Sequence, residues 1–171
     1  MALKEAVGRA HIDMPRAEVW DKLRDISVAD KYVPGVKAIR VDTARREGVG
    51  ASRTVFMDNG QEMQETVEEW TDGHGFVIRV HKGDKPAIPI FKQFKFRYQI
   101  DDDGVGTMLS PTMIYEMRFG PIGALLSPVI GKAFAKAAAD IALAMREYYL
   151  TGTRVTPERL KELREEHAKK S

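Results

Sequence analysis

The stretch SRTVFMDNGQEMQETV, residues 52–67, decides how this chain is read. Residues suited to strands flank Asp58-Asn59-Gly60-Gln61, and Asn59-Gly60 can take the positive φ angles that a two-residue type I′ turn requires. With that turn, Phe56 is expected to face Met63, Thr54 to face Glu65 and Ser52 to face Val67 on the inner side of a hairpin. Arg53, Val55 and Met57 then fall outside, against Thr66, Gln64 and Glu62. Asp72-Gly73 offers a second turn, which sets Val67 opposite Ile78, Glu65 opposite Val80 and Glu69 opposite Phe76. Both turns point to the same inner face.

Beyond them, Phe94, Phe96, Tyr98 and Ile100 alternate with Lys95, Arg97 and Gln99, as a half-buried strand does. Asp102-Asp103-Gly104 then turns the chain into a last strand from Val105 to Arg118. A two-residue turn there brings Thr107, Leu109, Met113 and Tyr115 to the inner face, with Pro111 expected to mark a bulge or break. Leu126, Ile130, Phe134, Ala137, Ile141, Met145 and Tyr148 recur at helical spacing along one long helix. Upstream, Leu3 to Ile12 reads as a first strand and Pro15 to Asp25 as a helix. A further helical turn over Ser27 to Val33 is broken by Pro34-Gly35, and Val36 to Thr43 reads as the second strand. The expected class is α+β: about seven antiparallel strands around a long C-terminal helix, with two short helices after the first strand.

The chain has 171 residues, enough for one domain with a sizeable core. The ligand-binding domain is expected over residues 1–152, and 153–171 as a charged tail forming a short helix. That tail holds six of the 27 basic and four of the 25 acidic residues, so the body is neutral and offers nucleic acid no general attraction. Its only large apolar anchors are Leu160 and Leu163, and its removal from Thr156 onward is expected to be tolerated. With no cysteine, disulfides, thiolate metal sites and cysteine nucleophiles are excluded. The histidines show no ligand spacing, so no metal is expected, and no nucleotide-binding or nucleophile-elbow motif occurs. Lys4, Glu5, Arg9, His11 and Asp13 argue against a secretory leader, and a cytoplasmic location is expected.

The order of elements resembles the helix-grip domains of the START/Bet v 1-like (SRPBCC) superfamily, especially its polyketide cyclase/dehydrase and lipid-transport proteins. The residues that carry the resemblance are Ile12-Asp13-Met14-Pro15 leading to Val19-Trp20, Tyr32-Val33-Pro34-Gly35-Val36, Gly50 to Arg53, Glu65, and Gly106-Thr107. The resemblance implies a curved sheet around the last helix with an apolar cavity between them. It does not fix one reaction, since such folds host binding, transport and catalysis.

The expected cavity lining is Thr54, Phe56, Met63, Val67, Phe76, Ile78, Val80, Phe94, Phe96, Thr107, Met113, Ile130, Phe134, Ile141 and Met145. Glu65 on that face reads either as a carboxylate that orients a ligand or moves a proton, or as one bonded to an arginine or hydroxyl near the sheet edge. Tyr98 and Tyr115 are the candidate positioning hydroxyls. Arg53, Arg79 and Arg97 are all expected outside, which leaves a cyclase without an inward cation. Two apolar loops, around Ile88 and Ile90 and around Ile122, read as a gate, as core cover or as a homodimer contact, with transient membrane contact also open. The expected function is binding or carrying a hydrophobic small molecule (lipid, isoprenoid, quinone or polyketide) without a cofactor. The alternatives are an enzyme of cyclase, dehydratase or aromatase type, and an interaction module without a ligand.

Overall fold

The computed structural model describes residues 2–171. The chain runs through β1 (Lys4–Val7), β2 (Ala10–Ile12), α1 (Arg16–Leu23), a 3-10 turn (Ile26–Lys31), β3 (Val36–Val41), β4 (Ser52–Met57) and β5 (Glu62–Thr71). It continues with β6 (Gly75–Lys82), β7 (Lys85–Pro86), β8 (Phe91–Asp103), β9 (Gly106–Met117), α2 (Gly120–Thr151) and α3 (Pro157–Lys170). The nine strands among the described residues form one antiparallel sheet in the order β1-β9-β8-β6-β5-β4-β3, with β2 also on β9 and β7 on β6. The long helix α2 lies against it, as the α+β helix-grip reading requires.

The first strand is split because α2 comes close at Gly8, where any Cβ would collide with the backbone of Ala138. Gly8 instead donates its N–H to the Pro111 carbonyl at 2.9 Å. Pro111 therefore faces this break in the neighbouring edge, while β9 stays in unbroken register with β8 from Gln93↔Glu116 to Asp103↔Gly106. The bulge expected at Pro111 is absent from that ladder.

The hairpin at Asn59-Gly60 differs from expectation by one residue. Its loop has three residues, Asp58-Asn59-Gly60: Gly60 donates to the Met57 carbonyl at 3.0 Å and Met57 donates to that of Gln61 at 2.8 Å. Gly60, at φ 87°, takes the left-handed position that a type I turn followed by a glycine bulge demands. Arg53 consequently pairs with Glu65, Thr54 with Gln64 and Val55 with Met63. A one-residue slip reverses every side chain on a strand, so Arg53 and Val55 turn to the inner face while Thr54 and Phe56 leave it.

The β5–β6 register is as expected at Val67↔Ile78 and Glu65↔Val80, but a bulge at Glu68 moves Glu69 opposite Val77 and Trp70 opposite Phe76. Trp70 thereby stacks on Phe76 at 5.4 Å and meets Trp20 of α1 edge-on at 5.0 Å. Trp20, Leu23 and Val19 bury the apolar face of α1 in the same cluster as Val67, Ile78, Tyr98, Ile141 and Met145. A second cluster joins Val80, Phe91, Phe94, Met113 and Tyr115 to Ala138.

The residues after Gly152 pack on the outside of α2. Leu160 and Leu163 are buried, and Arg164 forms a two-pronged pair with Asp140 at 2.7 and 2.6 Å. Arg159 bonds Glu147 at 2.9 Å. By length and composition α2 would pass for a membrane span, but its C-terminal half is enclosed between the sheet and α3.

At the β8–β9 turn, His11 is held between Asp103 on Nδ1 at 2.7 Å and Asp13 on Nε2 at 2.8 Å. Both ring nitrogens facing carboxylates favours the imidazolium, and the hydrogen bonds to Asp13 and Asp103 raise its pKa above 6.5. A raised folded-state value means that this contribution to stability is complete below 6.5 and fades as pH rises through the shifted value. We expect the His11 ring protons to titrate with a midpoint above 6.5 in an NMR pH series. We also expect the stability difference between wild type and His11→Asn to shrink as pH rises past that midpoint. A midpoint at or below the ordinary histidine value would disprove the clamp.

Candidate functional site

On the inner face β4 and β5 present Arg53 and Glu65 side by side. They are 2% and 4% exposed, with Arg53 Nε 2.6 Å and Nη2 2.5 Å from Glu65 Oε2. The remaining Arg53 nitrogen, Nη1, donates to the Ile26 carbonyl at 2.5 Å, which ties the sheet to the end of the 3-10 turn nearest α1. A charge buried this deeply persists only with such partners. Burial works against the Arg53 proton, the Glu65 carboxylate beside it works for it, and its pKa is raised.

Three tyrosines share this region. Burial pushes the Tyr32 phenol up to about 12, against the opposing pull of Arg53, and drives those of Tyr98 and Tyr149 upward as well. All three stay neutral donors at ordinary pH. The Tyr149 hydroxyl is buried without a well-formed hydrogen bond among the described residues, although the Tyr32 phenol is close enough to perturb it. Tyr115 stands apart in the second cluster, edge-on to Phe134 at 4.9 Å, and does not join Glu65.

The sequence-derived lining therefore divides. Val67, Phe76, Ile78, Ile141 and Met145 are closed into the first cluster, and Val80, Phe94 and Met113 into the second. Thr107 spends its hydroxyl on the Met14 carbonyl at 2.7 Å. Thr54 and Phe56 are corrections: the Thr54 hydroxyl donates to Asp42 at 2.6 Å and the Phe56 ring lies under the Arg40 guanidinium, both consequences of the three-residue turn. Arg53, expected outside, is the corresponding gain. Arg79 and Arg97 do lie outside, paired with Glu68 and Glu5.

Met63, Phe96, Ile130 and Phe134 are different from these closed residues. Each packs against the second cluster yet remains only partly covered, as do Ile88 and Ile90. Of these, Met63 and Ile88 line a cleft of about 480 Å³, together with Ala87, Pro89, Gly60, Gln61, Glu62 and Lys82. The backbone joins the two apolar loops here, since Arg118 donates its N–H to the Ile90 carbonyl at 2.8 Å. Ile122, the third residue expected at the gate, is 65% exposed on the first turn of α2 and outside the packed set.

A cleft that sequence reasoning missed, of about 510 Å³, opens between Tyr32–Val36, the Arg154–Pro157 link and α3. Its charged lining of Asp30, Asp58, Arg154 and Arg164 mixes signs, and none of the residues expected to line a ligand cavity borders it. Only the docking of α3 creates it. No cluster of metal-ligating side chains occurs among the described residues.

The architecture is shared with known structures. TTHA0849 from Thermus thermophilus superposes with a TM-score of 0.66 at 19% identity, covering 87% of this chain and 99% of its own. Ara h 8.0201 superposes with a TM-score of 0.62 at 11% identity, covering 88% and 99%. At those identities the likeness shows the fold. A search of curated proteins by sequence gave no match. The sequence model described as polyketide cyclase / dehydrase and lipid transport matches residues 5–148, all of the chain from β1 into the last turn of α2, and the chain belongs to that family.

Proposed function

We propose that the protein binds or carries a hydrophobic small molecule, of the lipid, isoprenoid, quinone or polyketide kind, between the sheet and the N-terminal half of α2. One observation carries this reading. Met63 and Phe96 sit in register with buried inner-face neighbours, and Phe134 stacks on Phe94, yet all three remain partly open to solvent. An inner face that is apolar and incompletely covered is where an apolar ligand gains most, at roughly 25 cal/mol for each Å² withdrawn from water. The cleft beside Met63 and Ile88 provides the approach.

Native mass spectrometry of the purified protein, with displacement of a fluorescent apolar probe, tests the reading. Wild type should retain a ligand or bind the probe, and Met63→Trp, which fills the approach, should weaken probe binding at least about tenfold while leaving the unfolding curve in place. No retained ligand together with no probe binding would overturn it.

A second reading, catalysis of cyclase or dehydratase type, is favoured by Arg53, which supplies the inward cation that the sequence reading had placed outside. Against it, the Glu65 carboxylate is already engaged by Arg53. Turnover that survives Glu65→Gln would remove this carboxylate from the chemistry.

A further inference from the structure

One side of α2 is covered in its second half and bare in its first. Ile122, Leu125, Val129, Lys132, Lys136, Asp140, Leu143 and Glu147 recur at three- and four-residue intervals and so share a face. Helix α3 covers the last three, through Arg164 on Asp140 and Arg159 on Glu147. The first three remain 65%, 79% and 70% exposed, and Leu126 and Phe119 beside them are exposed as well. Phe119 also holds a left-handed backbone, φ 69°, that an aromatic residue adopts only under strain. That strained residue leaves a large apolar ring 57% exposed.

The charges on this stretch of the chain are of one sign. From Met117 to Ala139 the sequence contains Arg118, Lys132 and Lys136 and no acidic residue. Both lysines are exposed on the same face as the ridge, one and two turns beyond Val129. Their stems can lie along apolar surface while the ammonium groups reach outward. A second copy of the chain does not fit this arrangement. A two-fold contact centred on Val129 sets Lys132 and Lys136 against Leu125 and Ile122 if antiparallel, and against each other if parallel, leaving unpaired cations in the contact either way.

We propose that this half of α2, with Phe119, docks the protein on an anionic lipid bilayer. Ile122, Leu125, Leu126 and Val129 enter the headgroup boundary, and Arg118, Lys132 and Lys136 meet the lipid phosphates. The surface adjoins the apolar loop at Ile90 and is independent of what the interior binds.

Flotation with vesicles of phosphatidylcholine alone, and of phosphatidylcholine with phosphatidylglycerol, provides the test. The protein should float with the phosphatidylglycerol vesicles at low ionic strength and be released by salt. Lys132→Ala and Lys136→Ala should each weaken binding about fivefold. Leu125→Gln with Val129→Gln should abolish binding without moving the thermal midpoint, because both sites are exposed. Phe119→Gly relieves the backbone, so it should keep or raise that midpoint while weakening flotation. Equal binding to both vesicle types, or full binding by the Leu125→Gln/Val129→Gln variant, would overturn the proposal. So would sedimentation showing a dimer that this variant dissociates, since the face would then belong to a second copy.

Discussion

Glu65→Ala should lower the free energy of unfolding by about 3 to 5 kcal/mol, a large share of the total for a single domain. The loss arises less from a missing attraction than from what remains: a buried Arg53 guanidinium that keeps the Ile26 carbonyl but has lost its carboxylate. The same logic makes the double replacement informative. Arg53→Met with Glu65→Leu removes both charges and keeps the volume, so it should recover most of the loss or exceed wild type. Urea denaturation of the three proteins checks both statements. If Glu65→Ala unfolds at the wild-type midpoint, the pair is not buried as described.

The second large effect concerns the C-terminal helix. Leu163 is 2% exposed against α2, and Leu163→Ala should cost about 2 to 5 kcal/mol through lost burial and the cavity left behind. Deleting residues from Thr156 onward should cost at least as much, because it uncovers Leu143 and Ala144 and strips Asp140 of Arg164. Sequence alone makes this segment look dispensable; its packing reverses that expectation. Thermal unfolding of the truncated protein decides the matter, and an unchanged midpoint would show the helix to be dispensable after all.

Why some of this was legible and some not can be traced to particular residues. Strand β8 alternates from Phe94 to Ile100 up to a short turn, and the helical spacing from Ile130 to Met145 admits one face, so local chemistry settles both. Asp58-Asn59-Gly60 is ambiguous, because Asn-Gly suits a two-residue turn and Gly60 equally suits the left-handed end of a three-residue one. The choice depends on which strand face the core can accept. Burying Arg53 looks unfavourable until Glu65 and the Ile26 carbonyl are placed beside it, and Ile26 is distant in sequence. Trp70 was hidden by a bulge with no glycine to announce it. The docking of α3 rests on pairs such as Arg164 with Asp140 that join separate helices, and α3 lies beyond the stretch that the family shares.

The extra residue in the β4–β5 loop reaches further than the loop itself. Insertions and deletions at surface turns are usually silent, absorbed where the chain meets water. Here the length of the turn determines whether a cation or a threonine is turned inward, since shortening it by one residue would present Thr54 and Phe56 to the interior and expel Arg53. Interior polarity in this architecture can thus change through a single-codon deletion, with no substitution in either strand. When relatives are aligned, the gap placed at Asp58-Asn59-Gly60 carries more chemical information than the identities flanking it, and misplacing it assigns the wrong residues to the interior.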